Sequence, residues 1–127
     1  MVALTQVDSR PVPPLPPLPY HAAMLSHQVF FTMKQRSAER AENLIAAANK
    51  HLTGHPGCVF FGCGLRDPDY QRPVNDQDFD VALNIVFRTR ADHDEYQIAE
   101  RHLQFIDEQR DHWETVRVFD AEMDGDA

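Results

Sequence analysis

The chain has 127 residues, 43% of them apolar and 25% charged, the balance of one soluble domain with a buried core. Twelve Lys and Arg against twenty Asp and Glu give a formal net charge of −8, which argues against binding a phosphate backbone or an anionic membrane surface. No apolar run approaches the ~20 residues of a membrane span. Neither nucleic acid nor membrane is therefore an expected partner.

Residues 1–23 stand apart as a proline-rich N-terminal arm. Six of the nine prolines fall there, at Pro11, Pro13, Pro14, Pro16, Pro17 and Pro19. Proline fixes φ and lacks an amide donor, so the arm can enter neither a helix interior nor a central strand. Polyproline II, a semi-rigid spacer, is its expected state. It lacks the basic start, continuous apolar run and small-residue cleavage site of a signal peptide. Arg10, Pro13 and Pro16 also have the R-x-x-P-x-x-P spacing of ligands for aromatic-lined grooves. A proline cluster produces that spacing by composition alone, and the spacer reading is preferred.

From Leu25, LSHQVFFTMK is dense in β-branched and aromatic residues and predicts a strand. Ser37 can cap a following helix, with Glu39 and Glu42 near its positive end. Ala41, Leu44, Ile45, Ala48 and Leu52 recur at helical spacing, and Gly54 with His55-Pro56-Gly57 stops the run. CVFFGCGL predicts a second strand. A polar loop, RDPDYQRPVNDQD, precedes FDVALNIVF, whose alternation puts Phe79, Val81, Leu83, Ile85 and Phe87 on one face. Residues from about 89 to 110 are helix formers anchored by Ala91, Ala99, Leu103 and Ile106. TVRVFDA is the last strand, so the domain spans 24–122, and an acidic tail occupies 123–127.

The order β-α-β-β-α-β is the ferredoxin-like α+β pattern. Right-handed crossovers then give a four-stranded antiparallel sheet in the order 4-1-3-2, with two helices on one face. Phe30 and Phe31 on the first strand, and Phe60 and Phe61 on the second, show an aromatic ring to both faces. A sheet that is apolar on both sides needs two covers, and a second copy is the simplest one. A homodimer is expected.

The same residues resemble the stress-responsive A/B barrel domain (Dabb) family, dimeric α/β barrels of ferredoxin-like subunits. The likeness rests on Ser26-His27-Gln28-Val29-Phe30-Phe31, His55-Pro56-Gly57, Asp80-Val81-Ala82-Leu83 with Val86-Phe87, Tyr96 six residues before His102, and Arg117-Val118-Phe119-Asp120. It covers about three quarters of the chain and leaves out the arm. Most members of the family have no established reaction; a minority are enzymes, among them a polyketide cyclase that works by intramolecular aldol condensation. The resemblance implies His102 as general base, Tyr96 polarising a carbonyl, Asp120 orienting the histidine, and His27 in the pocket with Phe31 and Phe87. A further cyclase histidine falls on Val81, a departure from the cyclase pattern. A small apolar or carbonyl compound is the implied ligand.

The topology brings His27 near Asp120 independently, because the first and last strands are antiparallel neighbours. A carboxylate there would hold one histidine tautomer, or would simply satisfy two polar groups at the sheet edge. Tyr96 and His102 lie ~120° apart on a continuous helix and can converge only if that helix splits, yet IAER holds no proline or glycine. Their other reading is helix-to-sheet packing. His51 and His55 have metal-ligand spacing but straddle a helix break. His93 and His112 sit among acidic residues and read as surface. Cys58 and Cys63, five apart, face opposite sides of a regular strand and read as two buried free thiols in a reducing, cytoplasmic setting. No phosphate loop or metal signature is present, so no cofactor or metal is expected.

Overall fold

The computed structural model describes residues 11–16 and 23–125. Pro11–Pro16 are exposed and in no regular element. Arg10 and the remaining arm prolines lie outside the described residues.

Strand β1 (Met24–Met33) leads into helix α1 (Ala38–His51), then β2 (Cys58–Leu65), β3 (Val81–Phe87), α2 (Arg90–Ile98), α3 (Glu100–Gln109), one 3₁₀ turn (Arg110–His112) and β4 (Trp113–Met123). All pairings are antiparallel, in the order β2-β3-β1-β4, as the crossover rule requires. The last strand reaches Met123, which pairs with Met24, so the sheet takes in the first residue of the expected tail. No helix among the described residues is long and apolar enough to cross a membrane.

One layer of helices covers one face of the sheet. Ser37 caps α1 by accepting from the Arg40 amide at 3.2 Å. Leu44 and Ala48 of α1 and Leu52 at its C-terminal cap pack onto Val29, Phe31 and Met33 of β1 and Val81, Leu83, Ile85 and Phe87 of β3. Gly54 and Gly57, with φ of +74° and +79°, reverse the chain into β2.

Three expectations need correction. Phe79 does not share the face of Val81, Leu83, Ile85 and Phe87: it precedes β3, and its ring packs on Phe30, 5.0 Å between centroids, across the helix-free face. A bulge between Cys58 and Phe60 shifts the phase of β2, so Cys58, Phe61 and Cys63 all pack toward the core, while Phe60 faces outward. The two cysteines are half-buried and free, and burial pushes the Cys63 thiol up to about 12. The single C-terminal helix is two, α2 and α3.

The helix-free face keeps Phe60 and Phe119 more than half exposed, with Phe30 between them on β1. The acidic loop folds against its edge, where Arg117 holds Asp76 at 2.7 Å and keeps that carboxyl below its usual range. Gln28, Phe30, Asp76, Phe79, Arg117 and Phe119 line a depression of about 350 Å³ there.

Candidate functional site

The site lies between the helices and the β1–β4 half of the sheet. His27 and Asp120 are direct cross-strand partners, and His27 Nδ1 donates to Asp120 Oδ1 at 2.6 Å. His27 is buried while Asp120 is nearly half exposed, so the carboxylate sits at the rim and the ring points inward. That bond fixes the proton on Nδ1 and leaves Nε2 as the lone-pair nitrogen.

Helix α2 brings a second imidazole. Thr89 caps it by accepting from the Asp92 amide at 3.1 Å. His93 in its first turn is buried, with Nε2 3.3 Å from His27 Nδ1, and Gln97, one turn on, donates to the same Nε2 at 3.0 Å. Burial holds His93 below the usual imidazole range, and the nearby His27 adds to the effect. The expectation that His93 is solvated surface is therefore wrong: the ring is buried, with Asp94 3.8 Å from its Nδ1 and Asp120 3.9 Å from its Nε2.

Tyr96 and His102 do converge. The helix breaks at Ala99, whose φ of −66° and ψ of 143° are extended. Its N–H bonds the Tyr96 carbonyl and its carbonyl accepts from Leu103, so the break is satisfied on both sides without proline or glycine. Across it the Tyr96 and His102 rings lie 4.5 Å apart. His102 Nδ1 donates to the Gln97 carbonyl at 3.0 Å, which again places the free lone pair on Nε2. Burial, its largest influence, holds His102 below the usual range despite that bond; the ring is neutral at neutral pH. Burial raises the Tyr96 phenol, which stays protonated and can donate.

Tyr96, His102 and His27 line a cavity of about 170 Å³, with Gln97 beside them. Its walls are otherwise apolar: Val29 and Phe31 from β1, Leu83, Phe105, Ile106 and Trp113, with Val116 and Val118 of β4 at the open side. A polar end in an apolar box can bind a compact molecule with one polar group.

Of the residues named from sequence, Phe31 lines this cavity and Phe87 does not. Phe87 is fully buried behind it, against Tyr96 at 5.0 Å and His93 at 5.6 Å. Asp120 orients His27, not His102, whose orienting group is the Gln97 carbonyl. Val81 is core. His51 and His55 do not share a ligand: His51 Nε2 pairs with Glu108 at 3.0 Å, and His55 Nε2 donates to the His51 carbonyl at 2.8 Å. Sequence reasoning missed His93 and Gln97. The signal was their spacing, since His93, Tyr96 and Gln97 at i, i+3 and i+4 share one helix face.

A family model described as the stress responsive A/B barrel domain matches residues 25–123. The chain belongs to this family. A Dabb family protein of Mesorhizobium loti with a ferredoxin-like fold is 23% identical over 81% of this chain and 99% of its own, with a TM-score of 0.66. A dimeric ferredoxin-like protein of unknown function from Thermobifida fusca is 14% identical over 84% and 97%, TM-score 0.67. A hydroxynitrile lyase from Passiflora edulis is 20% identical over 84% and 98%, TM-score 0.66. At these identities the solved structures share the fold of this Dabb chain. No curated protein matches it. Solved proteins of this fold thus include ones without an assigned activity and an enzyme, and this chain's own activity is unassigned.

Proposed function

We propose that this Dabb-family chain is a homodimeric small-molecule-binding protein whose helix–sheet cavity takes a compact, largely apolar ligand with a carbonyl group. The observation that carries the reading is the meeting of the Tyr96 phenol and the His102 and His27 imidazoles at one end of an apolar cavity. A cavity of about 150 Å³ holds benzene, so this one suits a ligand of roughly six to eight non-hydrogen atoms. Cyclohexanone and methylenecyclohexane have nearly the same shape and differ in C=O against C=CH₂. The ketone is expected to raise the melting temperature and to shift Tyr96 and His102 resonances, and the hydrocarbon to do much less. Equal effects from both would end the proposal.

The two-fold partner covers the helix-free face. Phe60 at 52% and Phe119 at 54% exposure flank Phe30, an unusual amount of aromatic surface for a lone sheet. The solved Thermobifida fusca relative is described as dimeric. The free thiols and the net charge of −8 fit a cytoplasmic protein.

The break at Ala99 favours a second reading, an acid–base enzyme. His102 Nε2 would accept a proton from the carbon beside the carbonyl, the C–H electron pair would pass to the carbonyl oxygen, and Tyr96 would donate a hydrogen bond to that oxyanion. Deuterium exchange of the α-protons of cyclohexanone in D₂O measures this step directly. Wild-type protein is expected to accelerate it, and His102→Asn to abolish the acceleration while remaining a folded dimer. Exchange no faster than buffer removes the catalytic reading and leaves the binding one.

A further inference from the structure

Beside the Tyr96–His102 pair lies a second constellation that shares only His27 with the carbonyl pocket. His27, His93 and Asp120 are the one group of metal-ligating side chains among the described residues whose donor atoms gather, all within 4.8 Å of one another. They come from β1, α2 and β4, three separate elements. We infer that this His–His–Asp group is a binding site for a divalent transition-metal ion.

The donors suit that class. Two neutral imidazoles and a carboxylate match Zn²⁺, Fe²⁺, Co²⁺ or Ni²⁺, whereas Mg²⁺ and Ca²⁺ need shells of oxygen. A tetrahedral zinc shell with bonds of about 2.05 Å sets its ligand atoms roughly 3.3 Å apart. His93 Nε2 and His27 Nδ1 already stand at 3.3 Å. The other two edges deviate in opposite senses, 2.6 Å from His27 to Asp120 and 3.9 Å from His93 to Asp120. Both involve the Asp120 carboxylate, so one small swing of that half-exposed side chain toward His93 lengthens the short edge and shortens the long one.

The two imidazoles are held for this without a metal. His27 is buried and fixed by the strand pairing, and His93 is packed edge-on against Phe87, 5.6 Å between ring centroids. Gln97, now donating to His93 Nε2, would release that nitrogen to the ion. Metal loading also moves the His27 proton from Nδ1 to Nε2, turning a lone pair that lines the cavity into a donor. Three protein ligands leave a tetrahedral ion one open position.

Tag-free dimer, stripped with chelator, is titrated with Zn²⁺ by calorimetry and with Co²⁺ by visible absorption. One ion per chain is expected, with the strong d–d bands of a four-coordinate cobalt site. Asp120→Asn and His93→Gln, which preserve size and polarity, are expected to weaken binding at least ten-fold. Mg²⁺ should not compete. His102→Asn should keep one zinc per chain, so loss of the carbonyl site and loss of the metal site are told apart. Folded variants of Asp120 and His93 that bind zinc as tightly as the wild type would overturn the inference. So would a wild-type stoichiometry well below one.

Discussion

Replacing Tyr96 with phenylalanine separates the two things this residue could be doing. The ring is almost wholly buried and packs against Phe87 and His55 at 5.0 Å and against His102 at 4.5 Å. Phenylalanine keeps all of that. What goes is one hydroxyl at the wall of the cavity. Deleting a single cavity-facing hydroxyl changes stability by no more than ~1 kcal/mol, a melting-temperature change within roughly 4 °C in either direction for a domain of this size. The same deletion removes the donor to a carbonyl ligand. A neutral hydrogen bond contributes ~0.5–1.5 kcal/mol, which weakens the cyclohexanone dissociation constant by about 2- to 13-fold. If Tyr96 also stabilises an oxyanion, the α-proton exchange rate falls further, by roughly 10²-fold. Differential scanning fluorimetry, calorimetric titration and deuterium exchange on one protein sample measure all three. A drop of 5 °C or more with ketone binding intact would show that Tyr96 is a packing residue, and the carbonyl site would have to be abandoned.

Burial holds both His93 and His102 below the ordinary imidazole value, so the unfolded chain binds more protons than the folded one in the window below about pH 6.5. Stability therefore rises with pH through that window and is lost on acidification; the melting temperature should fall between pH 6.5 and 5, and fall less steeply in His102→Gln. A melting temperature that climbs on acidification contradicts the burial of these rings. Phe119→Glu puts a charge among the exposed aromatic rings of the helix-free face and is expected to halve the mass seen by light scattering with little change in the monomer's circular dichroism. An unchanged dimer mass would mean that the interface lies elsewhere. Gly54→Ala and Gly57→Ala share the left-handed strain of roughly 1–2 kcal/mol, but a Cβ at Gly57 also comes within 2.5 Å of Asp92 Cβ and one at Gly54 meets nothing. Urea titrations should show Gly57→Ala as clearly the more destabilised, and equal losses would show that the Asp92 end of α2 yields freely.

The sheet was legible in the chain because period-two alternation and strand chemistry survive in almost every segment, and handedness then leaves one strand order. The His27–Asp120 pair followed from topology alone. The split of the last helix did not, and the reason is physical. The buried positions of α2 are His93 and Tyr96, and those of α3 are His102 and Phe105. Each pair is spaced by three, but the step of six from Tyr96 to His102 turns the burial stripe by ~120°. That phase jump is written in histidines and a tyrosine, which a hydrophobicity pattern does not read as buried. Ile98 and Leu103, the apolar residues flanking the break, point outward at 71% and 53% exposure and suggest a stripe that is not there. His93 was hidden for the same reason: its neighbours in sequence are acidic, while its neighbours in space are Phe87, His27 and Gln97.

The break and the site sustain each other. Ending α2 at Ile98 leaves the Gln97 carbonyl without the amide that a continuous helix would supply, and a carbonyl abandoned beside a buried cavity is costly. His102 satisfies it with Nδ1–H. The histidine thus stabilises the kink that brings it to Tyr96, and the kink fixes the tautomer that leaves its other nitrogen basic. Alanine at 102 removes both at once, so a loss of function there cannot be assigned to lost chemistry alone. Asparagine offers a cleaner separation, because its side-chain N–H₂ can reach the same carbonyl while no basic nitrogen remains. His102→Asn is expected to hold the melting temperature within about 3 °C of wild type, one hydrogen bond being kept and some ring packing lost, and to have no exchange activity. If His102→Asn unfolds as readily as His102→Ala, the ring's packing rather than its hydrogen bond holds the two helices at their angle, and the coupling argued here is wrong.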